Sequence, residues 1–267
     1  MLVTKDDISK AIKENGLSGK VVCVHSSLSS FGKVDGGADA VINAFLEEGC
    51  TLLAPSFSYD YVLPHAEIIE QNSFEENNQV ELHTRVYRSS TDEISSDMGA
   101  IPRAMVNRPG RYRGIHAINS FVALGPEAEE LISCQTFEDI YAPYKKAMEK
   151  GGVIIMIGVG LTKMTAIHYA EQLSGRELFI RWALDENGNQ ARLREGSCSE
   201  GFERLAPVTS GMERQITVGN SLWRIFPIKE AVSAYAEAIR NDSGITHCAN
   251  PDCIQCNDME KGGPVGQ

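Results

Sequence analysis

Long apolar runs are missing from this 267-residue chain. The longest, Val153 to Gly160, is about eight residues, against the roughly 18 that a bilayer span requires, so no membrane partner is expected. Positive charge is scarce: 25 Lys and Arg face 36 Asp and Glu, a formal charge of −11. A nucleic-acid partner is not expected, because neutralising phosphates takes a dominant basic face. A cationic small molecule suits the balance better. Met1 to Asp7 lacks the basic-then-apolar layout of a secretory signal, which predicts a cytoplasmic protein. The chain also lacks a GxSxG elbow, an HExxH pair and a complete P-loop, since neither the upstream Gly nor a following Ser/Thr accompanies Gly32-Lys33. Gly158-Val159-Gly160 has Lys163 where a dinucleotide-binding loop needs its third glycine.

Seven cysteines is an odd number, and a chain of this length buries roughly 70–75% of its unfolded surface without staples. Cys23, Cys50, Cys134 and Cys198 are scattered and read as reduced thiols. Cys248, Cys253 and Cys256 form a CxxC with a third cysteine five residues upstream, a set that can supply three thiolates to zinc. Adjacent His247 and Cys248 seldom both reach one ion, and the expectation is no metal.

The periodicity predicts a mostly α/β chain. An opening helix over 5–15 precedes the strand Val21 to Val24, a polar loop, a helix from Ala38, and the strand Thr51 to Ala54: a parallel βαβ unit. Val153 to Ile157 reads as a central strand covered on both faces, Thr165 to Leu173 as a helix, Phe179 to Leu184 with the turn at Asp185 to Gly188 as a hairpin, and Ile228 to Ile239 as an amphipathic helix. From Asn241 onward a loose end is expected. Asp60 to Asp97 holds nine acidic residues and two arginines, so it carries −7 of the net charge. It reads either as a solvated insertion or as an acidic lid for a cationic substrate.

Three constellations carry possible chemistry. His168 and Glu171 are i and i+3 on one helix, either a surface ion pair or an imidazole base oriented by a carboxylate. Ser26-Ser27-Leu28-Ser29-Ser30 follows a strand and leads to Phe31-Gly32, either a capped turn or a cradle of hydroxyl and N–H groups for an anion or oxyanion. Arg103, Arg108, Arg111 and Arg113 lie close together beside His116, either paired with surface acids or bound to phosphates.

Together these stretches resemble the aminoglycoside 3-N-acetyltransferase family over roughly residues 20 to 240. The matching segments are Val24-His25-Ser26-Ser27-Leu28-Ser29-Ser30-Phe31-Gly32 with Val34-Asp35-Gly36-Gly37-Ala38, then Leu53-Ala54-Pro55-Ser56-Phe57-Ser58, the arginine loop through Gly125-Pro126, and Gly158-Val159-Gly160 leading to Thr165-Ala166-Ile167-His168-Tyr169-Ala170-Glu171. The resemblance implies a single-domain three-layer α/β sandwich with a central, largely parallel sheet and a β-hairpin region, distinct from the GNAT fold. It places the domain at 1–245, with a variable acidic insertion at 60–97 and a cysteine-containing tail at 246–267.

The same resemblance implies acetyl-CoA as co-substrate, a cationic aminoglycoside-type amine as acceptor, and His168 and Glu171 as catalytic residues. It puts Ser26, Ser27, Leu28, Ser29, Phe31 and Gly32 near the pantetheine arm. Arg113 and His116 match an Arg-Ser-x-His-Pro loop in which Gly114 and Ala117 replace the serine and proline. Tyr59 and Asp60, at the start of the acidic segment, are expected to touch the amine substrate. No metal is required, and a homo-oligomer stays open. Rival readings are transfer to another amine, a serine hydrolase using Ser26 or Ser27 with His168, and a silent CoA or amine binder.

Overall fold

Alternation of side chains along the central strands decides the architecture. In the computed structural model, which describes residues 2–63 and 85–264, the strands are β1 (Leu2–Val3), β2 (Val21–Ser26), β3 (Lys33–Val34), β4 (Thr51–Pro55), β5 (Tyr112–Arg113), β6 (Phe121–Leu124), β7 (Val153–Ile157), β8 (Phe179–Leu184), β9 (Gln190–Glu195), β10 (Arg214–Val218) and β11 (Ser221–Pro227). Seven of them form one sheet in the order β10-β11-β7-β2-β4-β6-β5. β2 pairs in parallel with both β4 and β7, while β6 and β11 run antiparallel to their neighbours. Followed across the sheet, these pairings give five strands one direction and leave β6 and β11 opposed.

The sheet is apolar on both faces, so it needs a helical layer on each. Ile154 and Met156 of β7, with Cys23 of β2 and Leu53 of β4, pack on one side against the helices Ala128–Ser133, Ala142–Glu149, Ala166–Leu173 and Ile228–Asn241. Val153, Ile155 and Ile157, with Val22, Val24, Leu52 and Ala54, pack on the other against the helices Lys5–Glu14, Gly37–Glu47 and Ala100–Val106. The expected three layers with a largely parallel centre are therefore present. The hairpin also forms, with β8 and β9 in antiparallel register from Phe179 opposite Glu195 to Leu184 opposite Gln190.

Beyond Asn241 the chain is not loose. A helix spans Ile254–Glu260, with Cys256 and Met259 buried beneath it. Backbone bonds tie this segment back: the Glu177 N–H donates to the Gly262 carbonyl, and the Arg204 guanidinium donates to the carbonyls of Gly244 and His247. Composition alone reads glycine and proline as disorder, whereas here they make turns against the body of the fold. Most of the acidic stretch, residues 64–84, lies outside the described residues.

Candidate active site

The carboxyl ends of β2, β4 and β7 point to one edge of the sheet, and a cleft of about 780 Å³ opens there. This is where parallel α/β sheets place ligands, because the chain leaves each strand into a loop at that end. Ser26 ends β2, and Ser27, Leu28 and Ser29 continue along the cleft wall into a short 3₁₀ turn, Leu28–Phe31. The turn is held by the Ser30 hydroxyl, which donates to the Ser27 carbonyl at 2.7 Å and meets the Ser221 hydroxyl at 2.7 Å. Gly158 makes room for that contact. A Cβ there would sit 2.1 Å from the Ser30 Oγ, and its φ of +63° is a glycine conformation.

His168 lines the same cleft from the helix Ala166–Leu173. Its Nδ1 lies 2.8 Å from the Glu171 Oε2, one helical turn away, so Nδ1–H donates to the carboxylate and the lone pair is left on Nε2. Nε2 has no hydrogen-bond partner among the described residues. Phe202 packs edge-on to the imidazole with ring centroids 4.8 Å apart, and Tyr141 stacks at 6.3 Å. Glu171 is only 1% exposed and is itself held fast. Its Oε1 accepts from the Arg176 Nη1 at 2.7 Å and from the Thr246 hydroxyl at 3.3 Å, and its Oε2 also accepts from the Ser197 hydroxyl at 3.4 Å. A carboxyl group held on both oxygens by an arginine and two hydroxyls cannot swing away, and that fixed position is what orients the imidazole.

The cleft gathers many of the residues singled out from the sequence, but not all. His168, Ser26, Ser27, Leu28, Ser29, Gly32 and Tyr59 line it, with Glu171 directly behind the imidazole. Phe31 does not; it is buried in the core, edge-on to Trp223 with centroids 6.0 Å apart. Asp60 is exposed and absent from the wall, which presents Asp97 instead.

Arg113 and His116, expected at the cofactor, are buried elsewhere. The Arg113 guanidinium donates to the Ser56 carbonyl at 2.7 Å, the Ser58 hydroxyl at 2.9 Å and the carbonyls of Thr91 and Glu93 at 2.8 and 2.9 Å, which uses its donors within the protein. His116 is fully buried, accepting from the Asn119 N–H at Nδ1 and donating from Nε2 to the Arg194 carbonyl. Burial pulls its pKa down to about 3, so it is neutral. The neighbouring arginines are also engaged: Arg108 with Asp39 and Asn43, and Arg111 with the carbonyls of Ser90 and Thr91. The arginine loop is a structural clamp on the segment after β4.

Several wall residues carried no signal in the sequence. Lys33 and Lys163 bring positive charge, and the amino end of the helix Gly37–Glu47 reaches the cleft at Gly37. Ser197 and Ser199 arrive from the segment after β9, far from the other site residues in the chain. For the serine-hydrolase reading, the Ser27 hydroxyl is bonded to that of Ser29 at 2.9 Å, and the Ser26 Oγ has no partner among the described residues. A nucleophile needs a bond to its base, and neither serine shows one to His168.

The chain is similar to known proteins both in sequence and in fold. A sequence profile described as Aminoglycoside 3-N-acetyltransferase matches residues 23–240. The aminoglycoside N(3)-acetyltransferase IX of Micromonospora chalcea is 28% identical over 79% of this chain and 79% of its own length. The aminoglycoside N(3)-acetyltransferase III of Salmonella sp is 28% identical over 64% of this chain and 61% of its own length. Among solved structures, the aminoglycoside acetyltransferase AAC(3)-Xa superposes with a TM-score of 0.75 at 25% identity, covering 90% of this chain and 93% of that one.

Proposed function

The chain belongs to the aminoglycoside 3-N-acetyltransferase family, whose members are acyltransferases with acetyl-CoA as co-substrate, and from that premise we propose that its cleft acetylates an amine of an aminoglycoside-type cation by direct transfer. The observation that carries this reading is the His168–Glu171 pair at 2.8 Å in the wall of a cleft shared with the serine loop. The pair supplies a base of fixed tautomer, and the loop supplies N–H and hydroxyl donors for an oxyanion.

In this mechanism the substrate amine attacks the thioester carbonyl and forms the new C–N bond. His168 Nε2 takes the amine proton, and the imidazolium that results is stabilised through Nδ1–H by Glu171. Collapse of the tetrahedral intermediate breaks the C–S bond, and His168 returns the proton to the departing thiolate. Only a neutral amine can attack, so the base must meet an amine that has already lost its ammonium proton. Asp97 and Tyr59 are assigned to the amine substrate. Lys33, Lys163 and the N–H groups at Gly37 suit the phosphates of CoA.

Thiol release from acetyl-CoA, measured against a panel of aminoglycosides and simple amines with mass analysis of the products, tests the proposal. An acetyl mass gained by an aminoglycoside is the expected result. Thiol release without an acceptor means hydrolysis and overturns it. His168→Ala is expected to lower kcat by roughly 10²–10⁴ while acetyl-CoA still binds. Near-normal turnover in that variant removes His168 from the mechanism.

A further inference from the structure

Four cysteine sulfurs meet at one point of this fold. Sγ of Cys198, Cys248, Cys253 and Cys256 all lie within 4.8 Å of one another, and all four thiols are free. A zinc–thiolate bond of about 2.3 Å places the corners of a tetrahedral S₄ site about 3.8 Å apart, so the four atoms need little adjustment to enclose one ion. Soft thiolates in that number and shape select zinc over hard cations such as magnesium or calcium. We propose that Cys198, Cys248, Cys253 and Cys256 bind a single structural zinc ion.

The fourth ligand is what the linear sequence conceals. Cys253 and Cys256 are a CxxC, with Cys253 capping the helix Ile254–Glu260 and Cys256 in its first turn. Cys248 lies on the preceding loop, and its N–H donates to the Cys256 Sγ at 3.4 Å, a bond that stabilises a coordinated thiolate. Cys198 comes from fifty residues upstream, in the segment after β9. His247 does not compete: its two ring nitrogens face the Cys248 carbonyl at 2.7 Å and the Asn257 Oδ1 at 3.2 Å.

The ion would sit behind the active-site wall and take no part in acetyl transfer. Cys198 lies between Ser197 and Ser199, both of which line the cleft. On the other side of the cluster, Thr246 donates to Glu171 and accepts from Arg176. Gly201 lies flat on the same tail, where a Cβ would come within 2.2 Å of the Thr246 carbonyl oxygen. Zinc would therefore cross-link the cleft wall to the tail that holds Glu171, adding to the hydrogen bonds from Arg176, Glu177 and Arg204 that already seat the terminal segment.

The test is elemental analysis of the full chain purified under reducing conditions without chelator. About one zinc per chain is expected, falling to near none in Cys253→Ser/Cys256→Ser and staying at about one in Cys134→Ser, whose thiol is outside the cluster. Should the double variant fail to fold, the wild-type chain answers alone: zinc expelled with an organomercurial and replaced by Co²⁺ is expected to give the intense thiolate-to-cobalt charge-transfer and d–d bands of a tetrahedral S₄ site. A wild-type chain without stoichiometric zinc and without those bands overturns the proposal. So does iron at the same stoichiometry, or a disulfide among the four cysteines in the active protein. Each readout is independent of catalysis, so failure here leaves the acetyltransferase reading standing, and the reverse also holds.

Discussion

A methyl group at position 196 would have no room. The Cβ would stand 2.6 Å from the Tyr141 hydroxyl and 2.8 Å from the His168 ring, so the chain passes the imidazole as glycine backbone. Gly196→Ala is accordingly expected to displace the ring from its partner Glu171 and to cut kcat by about 10²-fold, since displacements near 1 Å cost that much. The KM for acetyl-CoA should change little, and a kcat/KM split measured on the variant checks this. At the residue scale the His168 and Glu171 pairing was legible, because i,i+3 spacing on a helix is enough to bring them together. Gly196, Arg176 and Thr246 were not legible. Gly196 and Thr246 reach the pair from distant parts of the chain, where no local pattern marks a contact, and Arg176, five residues past Glu171, lies beyond the end of the helix at Leu173, where helical spacing no longer says what a side chain meets.

The segment between β4 and β6 is the element whose reading changed most. A run of arginines without intervening acids resembles a phosphate site, yet Arg113 turns inward and binds Ser56, Ser58, Thr91 and Glu93. It thereby shapes the stretch bearing Phe57 and Tyr59, both in the cleft wall. Arg113→Met keeps much of the volume but removes the charged donor shared by Ser56, Ser58, Thr91 and Glu93, which retain only their bonds with Ser120, Arg111 and one another. It is expected to destabilise the fold by about 1.5–3 kcal/mol, the worth of a hydrogen bond to a charged group. Urea unfolding would show the loss, and the KM for acetyl-CoA, measured where the variant is still folded, should stay within a few-fold of wild type. A KM rise of tenfold or more would return Arg113 to the cofactor. The serine loop shows the opposite case: its position after an apolar strand and before a glycine turn sufficed to put it at the carboxyl edge of the sheet, because the strand direction fixes where the loop emerges.

For the whole molecule, buried histidines tie stability to pH. Burial pulls both His25 and His116 down to about 3, whereas in the unfolded chain each titrates near 6.5. Between those values the unfolded state binds more protons, so their contribution is complete above about pH 6.5 and is lost as pH falls towards 3, at up to about 1.4 kcal/mol per pH unit for each histidine. Urea midpoints should fall from about pH 7 to about pH 5 with that sign. His116→Gln should be less stable at neutral pH and show a shallower slope; an unchanged slope would mean that His116 is protonated in the fold. The sequence by itself determined the class of the molecule: two-faced apolar strands separated by amphipathic helices admit little besides a sheet covered on both sides, and the His168 helix must follow the central strand. Only the tertiary structure decided which side chains share the cleft, that Arg113 and His116 are interior, and that Cys198 joins three cysteines of the tail. Periodicity encodes which face of an element is buried, whereas the identity of its neighbours depends on how distant segments pack, and no spacing along the chain records that.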